Sequence, residues 1–213
     1  MVLKDIESND SKKQNLTKDV VNLINLIKQD NMFPAICFSF NRKRCEELAK
    51  VIKDYNLVSD RDKQMIEIIW NKAISSLNQE DQDLKSIVIF KDFLLNGIGI
   101  HHSGLFPIVK EIVEILFQEN YIKILFATET FAMGVNMPAK TVIFTDFEKF
   151  DGTTRRQITG SEFIQMSGRA GRRGKDDCGR TITMMAKQVE EKELRSMMCG
   201  NSEPLNSSFQ IGY

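Results

Sequence analysis

The chain has 213 residues, of which 42% are apolar and 27% charged, a balance that excludes a disordered or fibrous class and leaves room for one domain with a sizeable core. Lys plus Arg equals Asp plus Glu at 29 each, so no global basic field announces nucleic-acid binding, and any such binding has to be local. Cys37, Cys45, Cys178 and Cys199 form no C-x-x-C pair and have no histidine cluster nearby, which argues against zinc and disulfides and fits a reducing intracellular compartment, and neither a membrane-spanning run nor the apolar core of a signal peptide is present.

Residues 1–15, rich in Lys, Asp, Ser and Asn, read as a lead-in or linker, with a folded domain expected over 16–200. Helical spacing begins at Leu16 and runs to Lys28, with Val20, Leu23, Ile24 and Ile27 on one side. AICFSF after Pro34 is a short apolar strand, Asn41 to Lys53 returns to the helical period, and DKQMIEIIWNKAISSL and DLKSIVIFKDFLL predict two further helices. GIGIHH predicts a strand ending in a loop, Pro107 suits the first position of a helix through IVKEIVEILFQ, and YIKILFAT is the next strand. ETFAMGVNMPAK reads as a loop, TVIFTDF as a strand and Glu148 to Thr159 as an irregular charged segment. Ser161 and Glu162 are the expected start of a helix carrying the arginines of QMSGRAGRRG, and GRTITMMA and KQVEEKELRSMM close the series as strand and helix.

Strands alternating with helices of this length indicate βαβ units and an α/β fold with a parallel sheet covered on both faces. Ligands bind such sheets at the carboxyl ends of the strands, so SFNRKR, HHSG and ATETFAMGVN are expected together at one rim, with the arginine helix beside them. On a helix Gln165, Arg169 and Arg172 fall in one row. Gly168 and Gly171 weaken that helix, and the expected return is close approach by a ligand or second domain, within reach of forked arginine donors for phosphate. His102, Ser103 and Gly104 offer imidazole, hydroxyl and backbone N–H groups to a phosphate, as do Thr128, Glu129 and Thr130 in their turn. Phe131, Met133, Met137, Trp70 and the Met-rich C-terminal part read as core. The chain has no G-x-x-x-x-G-K-[ST] loop and no Asp-Glu pair placed after a strand to hold Mg²⁺, so a nucleotide-hydrolysing site needs a second half.

PAICFSFNRKRCEELA, GIGIHHSGLFPIVKEIVEILFQ, KILFATETFAMGVNMPAKTVIF and GSEFIQMSGRAGRRG, in that order and spacing, closely resemble the second RecA-like domain of superfamily-two DExH RNA helicases of the Ski-like group. The resemblance spans roughly Lys18 to Tyr213 and implies a RecA-like, P-loop NTPase-type helicase domain without its own phosphate loop. It implies that Ser39 belongs to motif IV, Thr128 to Asn136 to motif V and Gln165 to Arg172 to motif VI. Ser39, His102, Ser103, Gly104, Thr128, Glu129 and Thr130 would touch single-stranded RNA. Gly134, Asn136, Gln165, Arg169 and Arg172 would close over ATP, bound with Mg²⁺ by a first RecA-like domain, with Arg169 and Arg172 as arginine fingers and Gln165 beside them.

HHSGL, MGVNMPAKTVIF and QMSGRAGRRG followed by DD are most similar to the branch that serves the nuclear RNA exosome, whereas FAMGVN is closer to the cytoplasmic Ski-complex branch. The resemblance thus implies exosome and adaptor partners, with a nuclear location and a cytoplasmic alternative. Residues 201–213 resemble the passage toward a winged-helix domain, so the chain is expected to be one domain of a longer protein and inactive alone. Two other readings compete. A DNA-repair helicase of the same superfamily shares HH-x-GL and QM-x-GRAGR but tends to have Pro at the positions of Glu129 and Arg173, and a scaffold domain would not need its arginines.

Overall fold

The computed structural model describes residues 18–75, 77, 85–134, 136–150, 153–184 and 191–199. After a helix at 18–29 (α1) come β1 (Ala35–Phe38), α2 (Arg42–Val51), α3 (Asp60–Ile74), α4 (Lys85–Leu95), β2 (Ile98–His101), α5 (Pro107–Gln118) and β3 (Ile124–Ala127). The chain continues through α6 (Glu129–Gly134), β4 (Thr141–Phe144), β5 (Glu148–Phe150), β6 (Arg155–Gln157), α7 (Gly160–Ser167), β7 (Arg180–Thr183) and α8 (Glu191–Cys199).

Five strands form one sheet in the order β2-β3-β1-β4-β7. Every pairing is parallel, with Ala35 opposite both Ile124 and Thr141. The residues of β1, β2, β3 and β4 are all buried, as apolar runs such as AICF and ILFA require of strands covered on both faces. Their alternation divides the core. Ile36, Phe38, Leu125, Val142 and Phe144 pack with α3, α5, α6 and α7 through Trp70, Leu116, Phe131 and Phe163. Ala35, Cys37, Ile100, Phe126 and Ile143 point the other way, onto α1 and α2 through Ile24, Ile27, Leu48 and Ala49. This is the RecA-like α/β architecture expected from the alternating elements.

Local signals explain the helix starts. Asn41 Oδ1 accepts the Arg44 N–H, Ser59 and Asp62 form a capping box, and Pro107 opens α5. Four expectations change. ETFAMG folds as the short α6 rather than a loop, and the segment after β4 contains the antiparallel pair β5–β6 rather than irregular chain alone. The helix α7 is capped by a Thr159–Glu162 capping box, not by Ser161. Met133 and Met198 are exposed rather than core, because they sit on the outer sides of α6 and α8. Residues 1–17, 185–190 and 200–213, including the lead-in, parts of the last strand and helix and the onward connection, lie outside the described residues. Among the described residues no helix is long and apolar enough to cross a membrane.

Phe144 is fully buried and stacks on Phe163 at 4.9 Å between ring centroids, with Phe147 at 6.2 Å and Phe38 at 6.0 Å. Phe144→Ala is therefore expected to cost about 3–5 kcal/mol of stability and to loosen α7 first. Chemical denaturation gives the first quantity, and hydrogen exchange of the α7 amides relative to β1 gives the second.

Candidate nucleotide and RNA interface

The carboxyl ends of β1, β2, β3 and β4 meet at one rim, tied by backbone bonds from Ser39 N–H to Ala127 O (2.9 Å), Thr128 N–H to His101 O (3.2 Å) and Thr145 N–H to Phe38 O (3.1 Å). The loops expected to gather are gathered, but their side chains divide in two groups. Ser103, Gly104 and Thr130 are exposed, and Glu129 is half-buried. Ser39, His102 and Thr128 are buried and hold the rim from beneath.

Each inward residue has a structural task. Thr128 and Thr130 share a hydroxyl contact at 3.0 Å, and the Thr128 carbonyl accepts the Phe131 N–H at the start of α6. His102 Nδ1 accepts the Gly104 N–H (3.1 Å), which closes the HHSG turn and leaves the ring proton on Nε2, 3.3 Å from Glu46 Oε1. Burial pushes the His102 and His101 imidazoles below their ordinary values. His101 donates from Nε2 to Glu114 Oε1 (2.7 Å) and lies edge-on to Phe131. The His102 ring is thus buried and shapes the turn in which Ser103 and Gly104 are exposed.

A cleft of about 470 Å³ opens beside Ser39, between α2 and the β5–β6 hairpin, with Asn41, Lys43, Arg44, Lys149 and Arg155 in its walls beside Glu47, Asp146 and Glu148. The Glu162 carboxylate gathers several donors of the hairpin. Glu162 accepts both Arg156 Nη groups (3.0 and 2.9 Å) and the Thr159 N–H (2.8 Å), and Lys149 Nζ pairs with it while lying 3.8 Å from Glu129. Burial raises the Glu162 carboxyl, but the donors from Arg156, Lys149 and Thr159 outweigh it and hold the group at about 2. The hairpin's cations escaped the sequence reading because triplets such as EKF and RRQ are too short to show alternation; the Asp151-Gly152 dipeptide between them was the available signal.

The arginine segment departs furthest from expectation. α7 starts near the carboxyl rim, where Ile158 N–H bonds Phe147 O (2.8 Å), but ends at Ser167 with Gly168 as its C-cap. Gln165 is exposed on its last turn, whereas Arg169 and Arg172 lie beyond the helix. Ala139 receives that chain as a strand would, with Ala139 N–H to Arg169 O (2.9 Å) and Gly171 N–H to Ala139 O (2.7 Å). Because Ala139 precedes β4, the arginines are carried toward the amino end of the sheet.

The glycines serve the chain's own packing. Gly171 has φ +92°, and a Cβ there would sit 3.1 Å from the Gly179 backbone. A Cβ on Gly179 would fall 2.3 Å from the Ala170 carbonyl oxygen. Arg169 donates from Nη1 to Asn136 Oδ1 (2.8 Å) and from Nη2 to Ala132 O, which joins the arginine segment to α6 and to the exposed Asn136. Arg172 pairs with Asp176 and Asn120. A cleft of about 570 Å³ follows, lined by Asn120, Asn136, Arg172, Arg173 and Lys175 among others. Asn136, Arg169 and Arg172 are thus brought together, away from the rim residues.

The model of the helicase conserved C-terminal domain matches residues 60–174, more than half of the chain. The chain belongs to that family. It is 48% identical over 195 residues to the DExH-box ATP-dependent RNA helicase DExH10 of Arabidopsis thaliana, covering 92% of this chain and 20% of that protein. It is 46% identical over 195 residues to the exosome RNA helicase MTR4 of Homo sapiens (92% and 19%) and 42% identical over 192 residues to the antiviral helicase SKI2 of Saccharomyces cerevisiae (90% and 15%). The chain therefore spans about a fifth or less of the length of these relatives.

The Glu162 anchor makes a pH prediction. Its carboxyl is depressed in the fold, so its stabilisation is complete above the ordinary value of 4.5 and is lost as pH falls from there toward 2. Glu162→Gln is expected to lower Tm at pH 6 and to converge on the parent protein by pH 2. A constant Tm difference across that window would remove Glu162 as the source.

Proposed function

We propose that this chain is the second motor domain of an ATP-dependent RNA helicase that feeds RNA to the exosome, in the nucleus, with adaptor proteins selecting the RNA. The observation that carries the motor reading is the joining of Arg169 to Asn136 (2.8 Å), with Arg172 beside the same cleft. Two guanidinium groups and the loop between α6 and β4 thereby form one cationic unit at the domain surface. The exosome reading is supported by the likeness to a protein named as an exosome RNA helicase. A cytoplasmic role is the alternative, favoured by the resemblance of FAMGVN to the Ski-complex branch.

The residues present fit a phosphate-bearing nucleotide. Asn136, Arg172, Arg173 and Lys175 line one cleft with no acidic residue in its wall among the described residues, and forked guanidinium donors match phosphate oxygens. In this reading the phosphate loop, whose G-x-x-x-x-G-K-[ST] pattern this sequence lacks, and the Mg²⁺ ligands belong to a first RecA-like domain. ATP, when bound there, supplies the phosphoryl group whose hydrolysis drives the motor. On closure of the two domains Arg169 and Arg172 act as fingers that stabilise charge developing in the transition state, and Gln165, one turn away on α7, helps seat the same edge. Gly134, with open space about it, lets the loop approach the nucleotide closely.

RNA lies along the carboxyl rim. Ser103, Gly104, Glu129 and Thr130 face it, Ser39, His102 and Thr128 set the loops, and Lys43, Arg44, Lys149 and Arg155 add phosphate contacts in the neighbouring cleft. Such contacts carry no base information, so binding is sequence-independent and weakens with salt.

In the full-length protein, Arg172→Ala is expected to slow RNA-stimulated ATP hydrolysis on the order of 10³-fold with RNA affinity within a few-fold of the parent. An unchanged rate would turn the reading toward a scaffold. At one fixed salt concentration single-stranded RNA should stimulate hydrolysis more than DNA of equal length; equal stimulation would favour a DNA-repair helicase.

A further inference from the structure

Arg172 is held on two sides by elements that the motor reading leaves without a role. Its Nε–H donates to Asp176 Oδ2 (2.8 Å), its Nη2–H to Asp176 Oδ1 (2.8 Å) and its backbone N–H to Oδ2 (3.0 Å). Its Nη1–H donates to Asn120 Oδ1 (2.9 Å). Asp176 is four residues onward in the same loop, brought round by the turn at Gly174, where φ is +76°. Asn120 comes from the corner between α5 and β3, at φ +60°. The two clamps therefore belong to separate parts of the fold.

The geometry separates aiming from masking. A guanidinium has five N–H groups, and the contacts to Asp176 and Asn120 use one each on Nε, Nη1 and Nη2. One N–H remains on each terminal nitrogen, enough for a fork on a single phosphate group. The Asp176 side chain is only 3% exposed against 20% for Arg172, so the carboxylate is sealed behind the guanidinium, whose outer edge stays open. A bidentate pair fixes the plane of the group as well as its position, which a long, rotamer-rich side chain cannot do unaided.

We infer that Asp176, assisted by Asn120, is a positioning residue for Arg172, presenting the free fork of its guanidinium to the nucleotide bound by the first motor domain. The inference rests on the motor reading and deepens it. The side-chain bonds from Arg172 hold the Asp176 carboxyl at about 2, so the pairing survives throughout the neutral range. The neighbouring carboxylate offsets part of the arginine's charge, and what is obtained in return is orientation, to which the rate of a charge-stabilised transition state is steeply sensitive.

The test is steady-state ATP hydrolysis by the full-length protein at saturating RNA, for Asp176→Ala, Asp176→Asn, Asn120→Ala, Arg172→Ala and the double variant Arg172→Ala/Asp176→Ala, with RNA affinity and Tm measured alongside. Asp176→Ala is expected to lower kcat by about 10- to 100-fold, the range a misplaced catalytic group produces, with KM for ATP and RNA affinity within about threefold. Asp176→Asn, which keeps an acceptor, and Asn120→Ala should fall between that variant and the parent, and they carry the test if Asp176→Ala does not fold. The double variant should be no slower than Arg172→Ala, since Asp176 acts through that side chain. An unchanged or faster kcat for Asp176→Ala, or a double variant slower by the full additional factor, overturns the inference while leaving the motor reading standing. An Arg172→Ala variant as fast as the parent overturns both.

Discussion

The stack of Phe163 on Phe144, 4.9 Å between centroids, is the contact through which the arginine segment is referred to the sheet. Phe144 ends β4 and Phe163 lies in the middle of α7, so burying the two rings together sets α7 along the face of the sheet. The strongly preferred geometry of aromatic pairs restricts rotation as well as separation. Without that reference, the bonds that Ala139 makes on either side of Ala170 would have no fixed partner strand. The arginines inherit their position from a hydrophobic contact some turns away.

A net charge of zero coexists with strongly local electrostatics. Glu162 gathers Lys149, Arg156 and the Thr159 N–H at one end of α7, and Asp176 gathers Arg172 past the other. In both places a carboxylate organises cations instead of merely cancelling them. The acidic residues that balance the composition are therefore part of the same surfaces as the basic ones, which is why counting charges along the chain hides the two clefts.

Much of the fold was legible because burial on both faces forces apolar runs into the central strands, and AICF, ILFA and TVIF are such runs. The rim was legible for the same reason, since parallel strands carry their outgoing loops to one end. What a linear reading could not supply was the direction of side chains within those loops. His102 and Thr128 have the chemistry of phosphate ligands, but burial and a local hydrogen bond to Gly104 or Thr130 turned them inward. At Gly171 of GRAGRRG the space that a missing side chain leaves is taken by Gly179, only eight residues onward in sequence but outside any helical spacing rule. Asp176, by contrast, stood at an i, i+4 interval from Arg172, a spacing that could have marked it as a partner.

Helix α7 has eight residues, about 12 Å at 1.5 Å per residue, and each end is pinned to something else: the Glu162 anchor at one, the Gly168 cap and Ala139 at the other. Its residue number is therefore fixed by what lies at those two ends. One residue added or removed between Thr159 and Gly168 would turn everything downstream by about 100°, swinging Arg169 away from Asn136 while leaving every side chain chemically intact. What the segment measures out between its two ends is thus an angle as much as a distance, and its length is a constraint of the same rank as the identity of its arginines.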